Sequence, residues 1–197
     1  MRYEENNTVI DNVLTQEEID QIYENIESPY REYVMEKYGQ KVSDFWMPES
    51  SLEKIIRYCE EISGISGLKL EAYQYSRYEK FVMEDGTTSY PNLTPHFDTF
   101  EEPRFTFDYQ MAGNTSWPIV VEGKEFTLEN NQAVTFAGTH QIHWRPKKVF
   151  EEGEYIDMIF CHLSLPGNEK VSEEHTSLMQ NKEKEAIEEF GELPWRM

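Results

Sequence analysis

Cysteine is scarce in this chain. Only two of its 197 residues are cysteines, and Cys59 and Cys161 lie far apart in the sequence and form no Cys-x-x-Cys pair. Disulfide-stabilised scaffolds and thiolate zinc sites depend on several closely spaced cysteines, so the sequence argues against both. Two widely separated cysteines that form no disulfide framework fit a reducing compartment, so we expect a cytoplasmic protein.

Basic residues and long apolar runs are also few. The chain has 18 Lys and Arg against 38 Asp and Glu, which gives a formal net charge of −20. A surface with this charge repels phosphate groups, so we expect neither nucleic acid nor a membrane as a partner. The longest apolar runs, such as the one at 118–121, are far shorter than a membrane span, and the first residues lack the pattern of a signal peptide.

Aromatic residues, by contrast, are plentiful. Tyr, Phe and Trp make up 14% of the chain, and each of them supplies a large apolar area for burial. The length suits one domain with its own core. We therefore predict a single domain over residues 1–197, with an N-terminal strand and helices at 1–67, a β core at 68–165 and a helical tail at 166–197.

The N-terminal part contains two helix signals after a short strand at 8–14. Thr15 followed by Glu18, and Ser50 followed by Glu53, have the spacing of a capping box, and Gly64 is a typical helix stop. Apolar residues recur at helical spacing in both segments: Ile19, Ile22, Tyr23 and Ile26 in the first, and Leu52, Ile55, Ile56, Cys59 and Ile62 in the second. The pattern predicts two helices that each bury one face.

From residue 68 onward the apolar period changes to two, which predicts strands. The strand-like runs are 68–81, 104–111, 117–121, 125–128, 133–137, 142–145 and 155–165. No helix-length pattern interrupts them, and parallel strands need crossover helices, so we predict an antiparallel sandwich or barrel with the helices packed outside. Hairpin turns are predicted at Gly123-Lys124 and Asn130-Asn131, an irregular loop at 83–95, and a surface helix at 171–193.

The chemistry-bearing residues lie where loops meet strands. His96 and Asp98 form a His-x-Asp triplet, and on an extended backbone residues two apart point to one face with Cα atoms about 6.6 Å apart. Such a triplet is more often an ordinary structural pair than a metal site. Here, however, the triplet follows a loop within the β region, and two further histidines, His140 and His143, occur near a later predicted strand. Two imidazoles and a carboxylate on one side of an ion, with positions left open, are typical of non-haem Fe(II) oxygenases.

Two histidines compete for the third position of this site. His143 and Arg145 share one strand face, while His140, Ile142 and Trp144 share the other. Because the neighbours of His140 on its face are apolar, we predict that His143 is the ligand and that His140 points away from the metal.

Several motifs together resemble the 2-oxoglutarate- and Fe(II)-dependent dioxygenases, in particular small prolyl-hydroxylase-like members. The resemblance covers roughly residues 8–165 and rests on His96-Phe97-Asp98, the Ser-Trp-Pro-Ile-Val-Val run at 116–121, Gly123-Lys124, Leu128, Gly138 and His143-Trp144-Arg145. It implies a double-stranded β-helix, a jelly-roll or cupin-like core. It also implies Fe(II) held by His96, Asp98 and His143, with 2-oxoglutarate as co-substrate.

The distal carboxylate of 2-oxoglutarate needs a cation, and the arginine fork matches a carboxylate best. Members of the family place a basic residue some way beyond the distal histidine, but here the corresponding window, 151–155, contains none. Arg145, on the face of His143, is the predicted replacement. The fallback bases are Arg77, Lys80 and Arg104, and Tyr75 and His162 are further candidate contacts to the co-substrate.

The predicted function is hydroxylation of an unidentified substrate, a peptide or protein side chain or a small metabolite, with succinate and CO2 as co-products. No catalytic group beyond the metal ligands is predicted. Two alternatives remain open: a cupin-like metalloenzyme that does not use 2-oxoglutarate, and a non-catalytic binding module. The sequence identifies neither the substrate nor the oligomeric state.

Overall fold

Antiparallel strands dominate the computed structural model, which describes residues 7–27, 31–35, 39–98, 104–166 and 173–191. The strands are β1 (Thr8–Asp11), β2 (Arg31–Met35), β3 (Gln40–Asp44), β4 (Lys69–Glu79), β5 (Phe81–Val82), β6 (Thr88–Ser89), β7 (Leu93–His96), β8 (Arg104–Gly113), β9 (Ile119–Val121), β10 (Lys124–Phe126), β11 (Gln132–Phe136), β12 (His143–Arg145) and β13 (Tyr155–Ser164). The helices are α1 (Gln16–Ile26), α2 (Glu49–Ser63) and α3 (Glu173–Phe190).

Two sheets enclose the core. The larger has seven strands in the order β1-β11-β8-β13-β4-β3-β2, and the smaller has four in the order β10-β9-β12-β7. One hydrophobic cluster combines Leu93, Ile119 and Val121 of the small sheet with Phe136 and Met158 of the large sheet, so the sheets face each other across it. This is the predicted double-stranded β-helix, and the expectation of an antiparallel β core is confirmed.

A second core lies on the outer face of the large sheet, where helices α1 and α2 pack. Strand β8 shows how one sequence serves both cores: Phe107 and Tyr109 join the cluster of the helices, while Thr106 and Asp108 point to the opposite side. Alternation along an extended backbone produces this division. The inward polar side chains of β8 therefore face the small sheet, where the candidate site lies.

Both N-terminal helices form, and one begins earlier than predicted. Thr15 and Glu18 make both hydrogen bonds of the capping box, and α2 ends at Gly64, whose φ of 66° is left-handed. The predicted cap at Ser50 is wrong, because α2 starts at Glu49 after Pro48, which makes no side-chain capping bond. The φ of proline is already close to the helical value, so the chain turns directly after it.

Short strands account for the other corrections. Strands β2 and β3 extend the large sheet from within 1–67, where only one strand and two helices were predicted. The segment 83–95 is not an irregular loop throughout, since it contains β6 and most of β7. These strands are too short to show a period, and pairing with a neighbouring strand defines them.

The turns and the tail agree with the sequence to within a few residues. The β9–β10 hairpin turns at Glu122 and Gly123, which both have positive φ, one residue before the predicted Gly123-Lys124 pair. Helix α3 falls inside the predicted 171–193, whose first and last residues lie outside the described part. No helix in the described part combines the length and the apolar character needed to cross a bilayer.

Candidate metal centre

Strands β7 and β12 bring the two predicted histidine ligands together. His96 and His143 are direct partners in the antiparallel register, and their ring centroids lie 4.2 Å apart. Asp98 follows His96 by two residues, and one ligand atom from each of the three side chains lies within 4.8 Å of the others. The three side chains can therefore contact a single ion, as the sequence predicted.

Backbone carbonyl groups fix the orientation of both imidazoles. Nδ1 of His96 lies 2.8 Å from the carbonyl oxygen of Thr94, and Nδ1 of His143 lies 2.9 Å from that of Gln141. A carbonyl oxygen only accepts, so each Nδ1 carries the hydrogen and donates it. In the neutral form of each ring Nε2 then keeps a lone pair, which is the arrangement usual for metal-binding histidines.

Asp98 is held by two neighbours: Thr106, which the sequence reasoning did not single out, and Gly138, which it named only within the family motif. The hydroxyl of Thr106 donates to Asp98 Oδ2 at 2.8 Å, and the Asp98 backbone N–H donates to the Gly138 carbonyl at 3.0 Å. A Cβ atom at position 138 would overlap Asp98 Oδ2 and Thr106 Oγ1. Only glycine therefore leaves room for the carboxylate at this position.

The charges of the triad depend on one another. Burial alone would raise the pKa of Asp98, but His143 above all, with smaller effects from His162 and His96, holds it well below its usual value. Burial alone would lower the pKa of His143, but Asp98, 3.4 Å from its Nε2, raises it. Burial and then His143 lower the pKa of His96 to about 4. The carboxylate is thus ionised and His96 neutral near pH 7, which are the forms that bind a metal ion.

His140, the competing histidine, is buried in a different environment. Its Nδ1 lies 3.0 Å from the hydroxyl oxygen of Thr139, and it does not belong to the group of possible metal ligands found among the described residues. The expectation that His140 is not a ligand agrees with this, but its reason differs: His140 lies in a turn, where its backbone N–H donates to the Ala137 carbonyl at 2.8 Å, and β12 begins only at His143.

Arg145 lies in the interior between the two sheets, although it carries a full charge. One of its terminal nitrogens donates to the Trp117 carbonyl, and the other lies 3.7 Å from the sulfur of Met158 on β13. The centre of its guanidinium is 5.1 Å from the Trp117 ring centroid. Arg145 on β12 thus places a base beside β13, the strand that follows the window 151–155, in which the sequence contains no base.

Two titratable groups that the sequence reasoning missed lie near this arginine. Burial raises the pKa of Tyr78, while Arg145 partly offsets that effect. Burial likewise raises the pKa of Asp108 to about 7, against the opposing effect of Arg145 and His143. The period of β4 could have indicated Tyr78, because it lies on the opposite strand face from Tyr75.

The other candidate contacts divide between two places. Tyr75 donates to Asp157 at 2.7 Å, and Arg77 lies 3.7 Å from the same carboxylate, which belongs to the helix-covered face of the large sheet. Lys80 pairs with exposed Glu152 at 3.1 Å. The structure does not bring these three residues to the triad or to Arg145.

Arg104 and His162 lie at the metal end. His162 Nδ1 is 3.6 Å from Asp98 Oδ2. Arg104 is 3.7 Å from Glu71. Burial lowers the pKa of His162 most, and Arg104 lowers it further. Of the predicted fallback bases, only Arg104 therefore remains close to the candidate centre.

Comparison with known proteins identifies solved structures that share this fold. No protein-family model matches the chain, and no curated protein matches it in sequence. Solved structures do match: the non-haem α-ketoglutarate-dependent epimerase SnoN from nogalamycin biosynthesis has a TM-score of 0.62 at 10% identity, with 86% of this chain and 88% of that chain covered. AviO1 from Streptomyces viridochromogenes gives 0.60 at 12% identity, covering 86% and 94%.

A third match is an oxidoreductase of the 2OG-Fe(II) oxygenase family from Burkholderia pseudomallei, with a TM-score of 0.59, 11% identity and coverage of 84% and 89%. HygX from Streptomyces hygroscopicus, solved with nickel and 2-oxoglutarate bound, gives 0.58 at 9% identity, covering 82% and 84%. The chain therefore has the fold of the 2-oxoglutarate- and Fe(II)-dependent oxygenases, as its motifs implied.

Proposed function

We propose that the protein is a metal-dependent oxygenase that uses Fe(II) and 2-oxoglutarate to hydroxylate a small substrate, with release of succinate and CO2. The observation that carries the proposal is the convergence of His96, Asp98 and His143 within 4.8 Å. The hydrogen-bonded Nδ1 atoms leave both Nε2 atoms able to bind the ion. When bound, the metal and the keto acid would together supply the oxidising chemistry.

The protein's own residues would hold and position these groups. The triad would hold the ion from one side and would leave the other side for the co-substrate and O2. Thr106 fixes the carboxylate of Asp98 through its hydroxyl. Phe136, whose ring centroid lies 4.7 Å from that of His143, packs beside the site, where it limits the access of water.

Arg145 is our proposed anchor for the distal carboxylate of 2-oxoglutarate. Its side chain is buried between the sheets, where a charge-assisted, two-pronged hydrogen bond to a carboxylate is strongest. Tyr78, buried nearby, would donate its hydroxyl to the same carboxylate. Removal of Arg145 would leave the dianion without its countercharge.

One observation favours a second candidate, a metalloenzyme that does not use 2-oxoglutarate. Asp108 is buried near Arg145. When ionised, its carboxylate would neutralise the charge of Arg145, which the distal carboxylate of 2-oxoglutarate would need for binding. The two candidates differ in whether the metal-loaded protein binds 2-oxoglutarate.

Metal binding is tested first, by calorimetry with Ni(II) and anaerobic Fe(II). We expect His96→Ala, Asp98→Ala and His143→Ala each to abolish binding, because three convergent ligands are required, and His140→Ala to leave it unchanged. Equal loss in the His140 variant would contradict the ligand assignment, and a wild-type protein that binds no metal would be a binding module.

Co-substrate binding is tested next, with the metal site filled. We expect Arg145→Ala to weaken 2-oxoglutarate binding by roughly 2–5 kcal/mol, about 30-fold or more. Arg145→Lys should recover little of this loss, because lysine keeps the charge but lacks the fork. Arg77→Ala, on the helix-covered face of the large sheet, is the matched control. Unchanged affinity in Arg145→Ala would transfer the role to Arg104, and failure of the wild type to bind would favour the second candidate.

A further inference from the structure

A cleft of about 370 Å³ opens beside the triad. Its described lining residues are Asp44, Trp46, Leu70, Glu71, Ala72, Tyr73, Gln74 and His162. His162 connects the cleft with the metal centre, because its Nδ1 also lies 3.6 Å from Asp98 Oδ2. A molecule in the cleft would therefore be separated from a metal ligand by a single side chain.

The volume limits the size of the occupant. Pockets for small molecules measure roughly 300–1,000 Å³, so this cleft is at the lower end of the range. It has room for a small ring system and not for a folded partner.

A β-bulge shapes one wall of the cleft. In the pairing of β13 with β4, His162 faces Ala72 and Leu163 faces Leu70, so Glu71 is the extra residue. Bulges re-aim side chains and are frequent next to active sites. The Glu71 carboxylate accepts a hydrogen bond from Ser164 at 2.6 Å, and Ser164 lies on the strand face of His162.

Planar polar groups and an aromatic ring line the same cleft. Asp44, Glu71 and Gln74 offer carboxylate and amide groups, which can bind neighbouring hydroxyl groups in pairs. Trp46 is 73% exposed, although a residue of this size is usually largely buried. An exposed aromatic face beside planar polar groups fits a ring with apolar C–H faces and a hydroxylated edge.

The charges disfavour an anion. Two of the described lining residues are carboxylates and none is lysine or arginine. Arg104, which is not among the lining residues, lies 3.7 Å from Glu71. Within a chain of net charge −20, this balance suits a neutral or amine-bearing molecule and repels a carboxylated one.

We propose that this cleft is the substrate site and that it takes a polyhydroxylated ring, a sugar-like or cyclitol-like molecule that is neutral or carries an amine. The ring stacks on Trp46 while its hydroxyl groups hydrogen bond to Asp44, Glu71 and Gln74. As a substrate site, the assignment rests on the proposed function, because it assumes oxidising chemistry at the neighbouring triad.

Binding is measured directly, by ligand-observed NMR on the full Ni(II)-loaded protein. The probes are glucose, galactose, mannose, glucosamine and myo-inositol, with glucuronate as the anionic counterpart and cyclohexanol as the ring without a hydroxylated edge. We expect at least one neutral or amine-bearing polyol to bind, and glucuronate and cyclohexanol to bind at least about tenfold more weakly than that probe.

Two variants and a control locate the binding. Trp46→Ala should weaken the bound probe by about 3- to 10-fold, and Asp44→Ala by about tenfold or more. Glu125→Gln removes a charge from the exposed part of β10 and should change nothing. Unchanged Ni(II) affinity in all three variants shows that they fold.

The outcomes separate this inference from the proposed function. If none of the polyols binds, if cyclohexanol or glucuronate binds as well as they do, or if Trp46→Ala has no effect, the inference is overturned even when 2-oxoglutarate is turned over. If a polyol binds in the cleft and the wild type still fails to bind 2-oxoglutarate, the site stands as a ring-binding site and the proposed function fails.

Discussion

Gly138 and Asp98 show how closely single residues are packed at the centre. The carboxylate occupies the space that a side chain at position 138 would fill, and the Gly138 carbonyl accepts the Asp98 backbone N–H. The position of one ligand thus depends on the lack of a side chain forty residues later in the chain.

Gly138→Ala is expected to displace the Asp98 carboxylate and to weaken metal binding by about 10–100-fold, the usual effect of disturbing a ligand's support. Calorimetric titration with Ni(II) measures this, and circular dichroism checks that the variant folds. Wild-type affinity in a folded Gly138→Ala protein would mean that the carboxylate can move without loss.

Asp108 makes the metal-free protein sensitive to pH. Burial raises the pKa of its carboxyl to about 7 in the folded chain, above the value of about 3.9 expected in the unfolded chain. The unfolded state therefore loses this proton first as the pH rises. The group's contribution to stability is fully present below about pH 4 and is lost between about pH 4 and pH 7.

Asp108→Asn should remove this dependence. We expect the variant to be more stable than the wild type at pH 7, by on the order of a few kcal/mol, and the difference to shrink towards pH 4. Urea unfolding of the metal-free proteins across this range tests the prediction. A constant difference at all pH values would show that the carboxyl does not change its charge there.

At the scale of elements, helix α3 covers the strands that carry the ligands. Phe97, between His96 and Asp98, packs with Ile142 and Ala186 in one cluster. The Trp144 and Phe190 rings meet edge to face, with centroids 5.0 Å apart. The residues on either side of His143 and the one between His96 and Asp98 are therefore held by a helix from the far end of the chain.

Phe190→Ala should loosen this contact and weaken metal binding several-fold, because preorganised ligands bind a metal more tightly than mobile ones. Amide hydrogen exchange should also become faster in β12. Ile187→Ala, at a 48% exposed position on the same helix, is the matched control. Normal metal affinity together with normal exchange in Phe190→Ala would make α3 irrelevant to the site.

At the scale of the whole molecule, the excess of acidic residues dominates. A net charge of −20 destabilises the compact state through self-repulsion, and salt screens that repulsion. This field also opposes anions approaching the cleft.

Raising NaCl from ~20 mM to ~300 mM shortens the screening length and should raise the thermal midpoint at pH 7. At pH 5, where more carboxyl groups approach protonation, the increase should be smaller. Differential scanning calorimetry measures both. A midpoint that falls with salt would mean that attractive ion pairs, such as Lys54 with Glu18 at 2.8 Å, outweigh the repulsion.

The sequence by itself determined what depends on neighbouring residues. The capping box at Thr15, the helix stop at Gly64 and the long alternating strands follow from hydrogen bonds and side-chain periods within a few residues. The shared face of His96 and Asp98 follows from the same alternation. These local rules, with the family resemblance, were sufficient to select the triad that the structure brings together.

The tertiary structure decided what depends on distant residues meeting. The short strands β2, β3 and β7 exist because other strands pair with them. Tyr78 and Asp108 gain their perturbed pKa values from burial near Arg145, and the need for glycine at 138 arises only when Asp98 and Thr106 approach it. Burial, desolvation and close packing are properties of the assembled core, so no pattern within a short window of sequence contains them.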